Sequence, residues 1–199
     1  MGTARKGRLV MSGRLRLMAG TVLLGLGLWQ AGSGALIEAK AWLGQHLIRS
    51  AWAESLTSGQ LQEPWPWADT HPVARLEVPR LGIDLIVLAG ATGRTIAWGP
   101  GHQDGSQPPN GPGTTVIAGH RDTHMAFLRE LIPGDSLRLT DSAGWTRTYR
   151  VLDGFVVHED EAAVRSDPED PRLMLLTCWP FEALVPGGPL RYVVEAERV

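Results

Sequence analysis

The longest apolar segment of the chain lies near its amino terminus. Residues 17–37 contain no charged side chain and consist mainly of Leu, Gly and Ala. A helix over this segment is about 31 Å long at about 1.5 Å per residue, which matches the hydrocarbon core of a bilayer. The pattern predicts a transmembrane anchor at 17–37, preceded by a basic cytoplasmic tail at residues 1–16. A cleaved signal peptide is the alternative, since residues 39–41 (Ala-Lys-Ala) fit a loose cleavage site.

A second helical pattern follows the apolar segment. Two rows of apolar residues recur at every fourth position: Leu43, Leu47 and Ala51, and Ile48, Trp52 and Leu56. Their broad arc predicts a helix over 38–56 that packs on a globular domain or lies at the membrane surface. Pro and Gly interrupt the pattern over 57–71, which predicts a linker. We therefore assign residues 38–71 to a membrane-proximal helix and linker.

From residue 72 onward, short runs rich in Val, Ile and Leu alternate with Gly and Pro. They predict strands at 73–78, 82–88, 114–118, 136–140, 146–157, 173–176 and 190–196. Short helices are predicted at 122–131 and 160–164, and residues 100–113, with four Gly and four Pro, are predicted to form a loop. Many short strands with few helices indicate a closed or nearly closed β-barrel at residues 72–199. The pattern leaves the strand order open.

Composition and charge exclude several classes of protein. With 43% hydrophobic and 20% charged residues, the chain is neither intrinsically disordered nor a polytopic membrane protein. The formal net charge is −2, but residues 1–16 carry five basic groups and no acid, which leaves −7 for the rest. A globular part this acidic, with no basic run, argues against nucleic acid as a partner.

Cys178 is the only cysteine, which excludes an intramolecular disulfide and any Cys-x-x-Cys metal or redox site. It follows the strand predicted at 173–176, His120 follows the strand at 114–118, and Arg191 begins the last strand. Side chains at three strand ends can meet at one rim of a barrel, where an imidazole or guanidinium favours a reactive thiolate. The pattern indicates a cysteine enzyme. Another kind of cysteine hydrolase, or a tethered binding module with an inert buried cysteine, is the alternative.

Several motifs resemble those of the sortase family, the membrane-anchored cysteine transpeptidases of bacterial envelopes. The segments are VPRLGID (78–84), GPGH (99–102), TTVIAGHRDTH (114–124), GDSLRL (134–139), LLTCWPF (175–181) and LRYVVEA (190–196). The family signature Thr-Leu-x-Thr-Cys is matched at 174–178, except that Met174 stands where the family has Thr. That departure concerns packing beside the nucleophile more than its chemistry.

The resemblance implies a fold and a mechanism. It implies a closed eight-stranded sortase β-barrel with short helices and a catalytic set of His120, Cys178 and Arg191. Cys178 is expected to form a thioester with a Leu-Pro-x-Thr-Gly-like sorting signal of a substrate protein, which an amine on another envelope molecule resolves. His120 is expected to move the protons, and Arg191 to position the signal and stabilise the oxyanion. Thr177 is expected to contact substrate or to play a structural part beside the site, and no cofactor is expected.

Histidines and acidic residues raise the question of a metal. His124 lies four residues after His120, and a zinc site with His102 and the cysteine is one interpretation of that spacing. We interpret His124 instead as a groove wall or as a partner of Asp122, and expect no metal. The acidic stretch at 159–170 is interpreted as a solvated loop, although some sortases bind calcium in that region.

The resemblance also implies a location. The membrane-proximal helix and the barrel most resemble the compact sortases of Gram-negative bacteria, the class GN type. The short Arg-rich tail and the lack of an extension after the barrel favour the same class. The chain is then expected to be a single-pass protein of the inner membrane, with its amino terminus in the cytoplasm and its catalytic domain in the periplasm.

Overall fold

A computed structural model describes residues 13–161, 166–183, 185 and 187–199 of the chain. The chain divides into two compact units, Met1–Leu43 and Gly44–Val199. Most of the predicted basic tail at residues 1–16 lies outside the described residues, as does most of the helix predicted at 160–164.

One long helix, α1 at Gly13–Ser58, includes both helical segments predicted from the sequence. No proline interrupts its 46 residues. Gly59 follows with a left-handed φ of 69°, and its N–H donates to the carbonyl of Ser55. A glycine in this conformation ends a helix without the steric cost of a side chain. By length and composition, α1 is apolar enough to cross a membrane, with a mean hydropathy of 1.3 for the stretch within Leu17–Ser58.

Eight strands of the second unit form a closed barrel. They are β1 (Pro72–Val78), β2 (Ile83–Ala89), β3 (Gly101–His102), β4 (Thr114–Ala118), β5 (Ser136–Asp141), β6 (Thr146–His158), β7 (Arg172–Cys178) and β8 (Leu190–Arg198). Around the barrel the order is β1-β2-β3-β4-β7-β8-β6-β5, and β5 pairs back to β1. The β2–β3 and β4–β7 pairs are parallel, and the others are antiparallel. The closed eight-stranded barrel that the family resemblance implied is confirmed.

Strand alternation decides which side chains fill the barrel. Every second residue of β1 and of β7 is buried, and Leu76, Leu139 and Leu175 in the interior are fully inaccessible. In β7 the buried positions are Leu173, Leu175 and Thr177. Because successive side chains point to opposite faces of a strand, Cys178 lies on the outer face of the barrel.

β3 lies inside the segment predicted to be a loop. It has two residues and pairs with Leu88 on one side and Ala118 on the other. A Cβ on Gly101 would lie 2.2 Å from the carbonyl oxygen of Gly90, so only glycine fits. A strand of two residues has no side-chain alternation from which to predict it.

The prediction of an α-helix at 122–131 was wrong, because the structure has turns followed by a 3-10 helix at Ala126–Glu130. The carbonyl of His120 accepts the N–H groups of both Thr123 and Met125, and the next bonds join residues three apart. Met125 is fully buried, and a Cβ on Gly119 would lie 2.9 Å from its Cγ. Burying Met125 beneath the end of β4 therefore holds the chain in a tighter path than an α-helix allows.

Two further helical segments differ from the sequence predictions. A single turn of helix, α2 at Gly93–Ile96, follows β2 and is capped by Thr92. After β6 the structure has a 3-10 turn at Glu159–Glu161, and the remainder of the helix predicted at 160–164 lies outside the described residues.

The end of α1 packs on the outside of the barrel within the second unit. The contacts form one cluster, made of Ile48, Trp52, Ile86 and Leu88, with Trp65 and Trp98 packed against it. Arg49 adds a hydrogen bond of 2.8 Å to the carbonyl of Asp84. Of the two settings predicted for this helix, packing on the domain is the one observed for residues 44–58.

Candidate active site

Cys178 and Arg191 face each other across two neighbouring strands. Cys178 is the last residue of β7, and it pairs in register with Arg191, the second residue of β8. The N–H of Trp179 donates to the carbonyl of Leu190 at 3.0 Å, which makes that pair the hydrogen-bonded one. The adjacent pair of Cys178 and Arg191 is then of the non-hydrogen-bonded kind, in which the facing side chains come closest.

His120 continues the same row from the other side of β7. In the parallel pair of β4 and β7, Ala118 lies beside Leu176. The ladder runs one bond further, since the N–H of Gly119 donates to the carbonyl of Leu176 at 3.1 Å. His120 lies two residues beyond Ala118, and Cys178 lies two residues beyond Leu176. The structure therefore brings the ends of β4, β7 and β8 side by side, with Cys178 and Arg191 paired and His120 following the end of β4.

Two residues along the strands from Cys178, Arg191 and His120, the outer face of the barrel is apolar. Leu176 pairs with Val193 on β8 and with Ala118 on β4. Val193 is 4% exposed and Ala118 9%, although both lie on the outer face. Cys178 is thus half-buried beside an apolar surface and opposite Arg191 in register, and His120 is exposed. Such surroundings strengthen electrostatic interactions with charge that develops near the sulfur.

Thr177 points to the opposite face from Cys178. Its side chain is 2% exposed, and its hydroxyl donates to the carbonyl of Gly119 at 2.7 Å. This bond ties the residue before the cysteine to the residue before the histidine. Of the two parts predicted for Thr177, the geometry favours the structural one over a contact with substrate.

The guanidinium of Arg191 is held by three hydrogen bonds. Nη1 donates to the carbonyls of Gly188 at 2.7 Å and Leu190 at 3.0 Å, and Nη2 donates to the carboxylate of Glu159. The Arg191 side chain is 22% exposed. A guanidinium has five N–H groups. Within the residues that the structure describes, one N–H on Nη2 and the Nε–H therefore remain for a ligand.

His124 lies in the turn after β4, four residues after His120. Burial lowers the pKa of His124, and the neighbouring charge of His120 lowers it further. The Thr123 hydroxyl lies 3.4 Å from its Nδ1. A partly buried imidazole whose pKa is lowered in this way fits the predicted groove wall. Asp122, its other predicted partner, pairs with Arg121. Within the part of the chain that the structure describes, no group of three metal-binding side chains supports the zinc interpretation.

Arg121 is a functional neighbour that the sequence analysis missed. It is 4% exposed, and its Nη2 donates to the carbonyls of Ala183 at 2.7 Å and Val185 at 3.2 Å. These carbonyls belong to the connection between β7 and β8, so Arg121 links the turn after His120 to the segment between Cys178 and Arg191. Its position next to His120 in the sequence was the available signal.

Aromatic rings hold the chain directly after Cys178. Trp179 stacks on Tyr192 with centroids 5.6 Å apart, and Phe181 meets Tyr192 edge-on at 5.3 Å. The Cζ of Arg129 lies 4.8 Å above the ring of Phe181. Stacked and edge-on rings add to the apolar burial that fixes this strand end.

The acidic stretch before β7 is engaged in single contacts. Asp160 lies 3.3 Å from His158, and Asp170 pairs with Arg172 at 2.6 Å. Asp167 accepts the N–H of Glu169 at 2.9 Å. Asp160, Asp167 and Asp170 thus have local partners, and among the described residues of this stretch no group of carboxylates converges as calcium binding requires.

Comparison with known proteins shows similarity to one family. A model of the sortase domain matches residues 76–199. The chain is 34% identical over 125 residues to "Sortase D" of Bacillus subtilis (strain 168). That alignment covers 62% of this chain and 62% of the Bacillus protein, so the chain spans less than two thirds of that relative.

Solved structures show the same fold. Sortase A from Corynebacterium diphtheriae is 26% identical with a TM-score of 0.60, over 67% of this chain and 63% of that one. Sortase C-1 from Actinomyces oris is 27% identical with a TM-score of 0.58, over 76% of this chain and 97% of that one.

Proposed function

The chain belongs to the sortase family, and on that premise we propose that it is a membrane-anchored cysteine transpeptidase whose reacting groups are Cys178, His120 and Arg191. One observation carries the proposal. The register of β4, β7 and β8 brings side by side the strand ends that carry or precede these three residues, which supports the proposal. Three strand ends held by a closed sheet give the fixed geometry that acyl transfer requires.

The proposed reaction begins with attack of the Cys178 sulfur on a carbonyl carbon of a Leu-Pro-x-Thr-Gly-like signal. The C–N bond breaks, His120 donates a proton to the departing amine, and the acyl group stays on sulfur as a thioester. An amine of another envelope molecule then attacks the thioester, loses its proton to His120 and releases the thiolate. The free N–H groups of Arg191 stabilise the oxyanion in both steps.

The anchor is proposed to be the segment 17–37 within α1. Leu17–Ser58 is long and apolar enough to cross a membrane, and the basic residues before it favour a cytoplasmic amino terminus. Cys178 provides its own topology probe because it is the only cysteine. A membrane-impermeant maleimide added to intact spheroplasts should label it. Labelling only after detergent lysis would contradict this orientation.

We also propose the narrower assignment to the compact class GN sortases and to the periplasm. The proposal is supported by the resemblance of the membrane-proximal helix and the barrel to that class. Separation of inner membrane, periplasm and outer membrane from the native organism, followed by detection of the chain, tests the location.

The acyl-enzyme is the direct test of the activity. The full chain in detergent micelles is mixed with a panel of Leu-Pro-x-Thr-Gly-type peptides, and intact mass is measured with Cys178→Ala as the control. An adduct on Cys178, lost when a small amine is added, is the expected result. Reaction with iodoacetamide but with no peptide would favour a cysteine hydrolase with another substrate. Reaction with neither would favour a tethered binding module.

A further inference from the structure

Arg191 lies between two chemically different side chains on the outer face of the barrel. In the antiparallel pair of β6 and β8, Val157 is opposite Arg191. The same register continues past the end of β6, where the N–H of Glu159 donates to the carbonyl of Pro189 at 2.7 Å. Glu159 therefore stands diagonal to Arg191 on the shared face, within reach of a long side chain. Cys178 occupies the opposite flank of Arg191.

The contact between Glu159 and Arg191 is an ion pair supported by backbone. Nη2 of Arg191 donates to Oε2 of Glu159, while Nη1 is held by the carbonyls of Gly188 and Leu190. The Arg191 side chain is 22% exposed and that of Glu159 is 48% exposed. An isolated surface pair contributes little, but here the carboxylate completes a three-point attachment of one guanidinium.

Neighbouring acids do not share this arrangement. Asp160 follows Glu159 directly, yet its side chain is 84% exposed and contacts His158. Asp153, on the same strand as Val157, accepts the N–H of Gly154. Within the described residues of β6 and the turn after it, Glu159 is the acid that contacts Arg191.

We propose that Glu159 is a positioning residue, which orients the Arg191 guanidinium so that its Nε–H and remaining Nη2–H face the acyl group on Cys178. The proposal rests on the function proposed above and deepens it. An arginine side chain has many rotamers, and restricting it to one of them costs conformational entropy at each turnover unless that rotamer is already fixed in the free enzyme. Glu159 supplies that order before substrate arrives.

The test compares three variants of the full chain in detergent micelles. Glu159→Ala removes the acceptor, Glu159→Gln keeps an oxygen that accepts from Nη2, and Asp160→Asn is the matched control beside it. We expect Glu159→Ala to lower kcat/KM for the acylating peptide about ten-fold, since a hydrogen bond to a charged group contributes about that factor. We expect Glu159→Gln to retain most of the rate, because its amide oxygen still accepts from Nη2. Asp160→Asn should match the parent chain.

A second readout needs no substrate. In the 15N-arginine-labelled chain, the Nη signals of Arg191, assigned with Arg191→Lys, should be resolved because its bonds hinder rotation. They should average in Glu159→Ala and stay resolved in Asp160→Asn. Averaged signals in the parent chain would overturn the proposal, as would an unchanged or raised kcat/KM in Glu159→Ala. If no peptide acylates the parent chain, the proposed function fails, and the Arg191 signals still decide whether Glu159 orders the guanidinium.

Discussion

Each of the three side chains proposed to react has a different chemical role, and each role predicts its own effect of substitution. Cys178 is the only thiol of the chain, so Cys178→Ala should abolish acylation. His120→Ala should keep the fold and lower the rate by about 10²–10⁴, the usual contribution of a positioned acid–base group. Arg191→Lys should also turn over peptide slowly, because an ammonium group cannot reproduce the planar hydrogen-bonding geometry of a guanidinium. Peptide turnover together with circular dichroism checks all three, and near-parental turnover in one variant would remove that residue from the mechanism.

Thr177 offers a test at the residue scale that separates structure from chemistry. Its buried hydroxyl donates to the carbonyl of Gly119, and Thr177→Val leaves that carbonyl without the bond. We expect the free energy of unfolding to fall by about 1–2 kcal/mol. Thr146→Val, on an exposed strand position, is the control. Urea denaturation measures both. A raised KM with unchanged stability would instead make Thr177 a contact for substrate.

At the scale of elements, an ion pair between Arg80 and Asp135 joins the β1–β2 turn to the connection before β5. Arg80, in the turn between β1 and β2, donates its Nη2 to Asp135 just before β5 and to the carbonyl of Glu130, both at 2.6 Å. The Asp135 carboxylate also accepts the N–H of Ile132 at 2.9 Å. One largely buried carboxylate thus ties the β1–β2 turn to the connection between β4 and β5, and also closes a turn within that connection.

The ion pair of Arg80 and Asp135, called here the Arg80–Asp135 clamp, makes the stability of the fold depend on pH. The hydrogen bond from Arg80 lowers the pKa of Asp135, and the N–H of Ile132 lowers it further. A carboxyl whose pKa is lower in the folded state stabilises the fold above its unfolded pKa of about 4, and that contribution disappears as the pH falls through the lowered value. Asp135→Asn should therefore unfold at lower urea than the parent chain at pH 7, and the difference should shrink below about pH 4.

The exposed Asp104 provides the control for that comparison. Asp104→Asn changes the net charge equally without touching the clamp, and its unfolding curve should follow the parent chain at both pH values. A difference between Asp135→Asn and the parent chain that stays constant down to pH 3 would contradict the assignment of acid sensitivity to Asp135.

Prediction of elements succeeded where the signal was local. The runs at 114–118 and 136–140 alternate or are uniformly β-branched and apolar, and both are strands. The segment 122–131 has a helical composition, but burial of Met125 and the paired bonds to the carbonyl of His120 dictate turns. Tertiary packing overrides helix propensity in so short a segment because few helical bonds are at stake.

At the scale of the whole chain, the boundary of the folded domain has consequences for stability. The sequence analysis began the domain at residue 72, whereas the second compact unit begins at Gly44. A chain that starts at residue 72 loses Ile48 and Trp52, which are 1% and 6% exposed, and uncovers Ile86 and Leu88. Apolar surface that loses its cover destabilises the folded state.

We therefore expect residues 44–199 to melt at least about 5 °C above residues 72–199, since 1 kcal/mol corresponds to about 2–4 °C for a domain of this size. Differential scanning calorimetry of the two fragments measures the difference. Ile48→Ala in the longer fragment should move its Tm toward that of the shorter one, and Leu56→Ala, at a more exposed position, should move it less. Equal melting temperatures would place the folding boundary after the helix.

The sequence by itself determined the apolar segment at 17–37, most of the strands and the choice of the three side chains proposed to react. These signals are local, because a run without charge, an alternation of period two and a motif around Cys178 can each be seen in a few consecutive residues. Only the tertiary structure decided the strand order, the two-residue β3 and the inward direction of Thr177. It also brought Glu159 to Arg191 and Arg121 to the β7–β8 connection. These depend on barrel closure and register between distant strands, which hydrogen bonds across the sheet fix and no local pattern encodes.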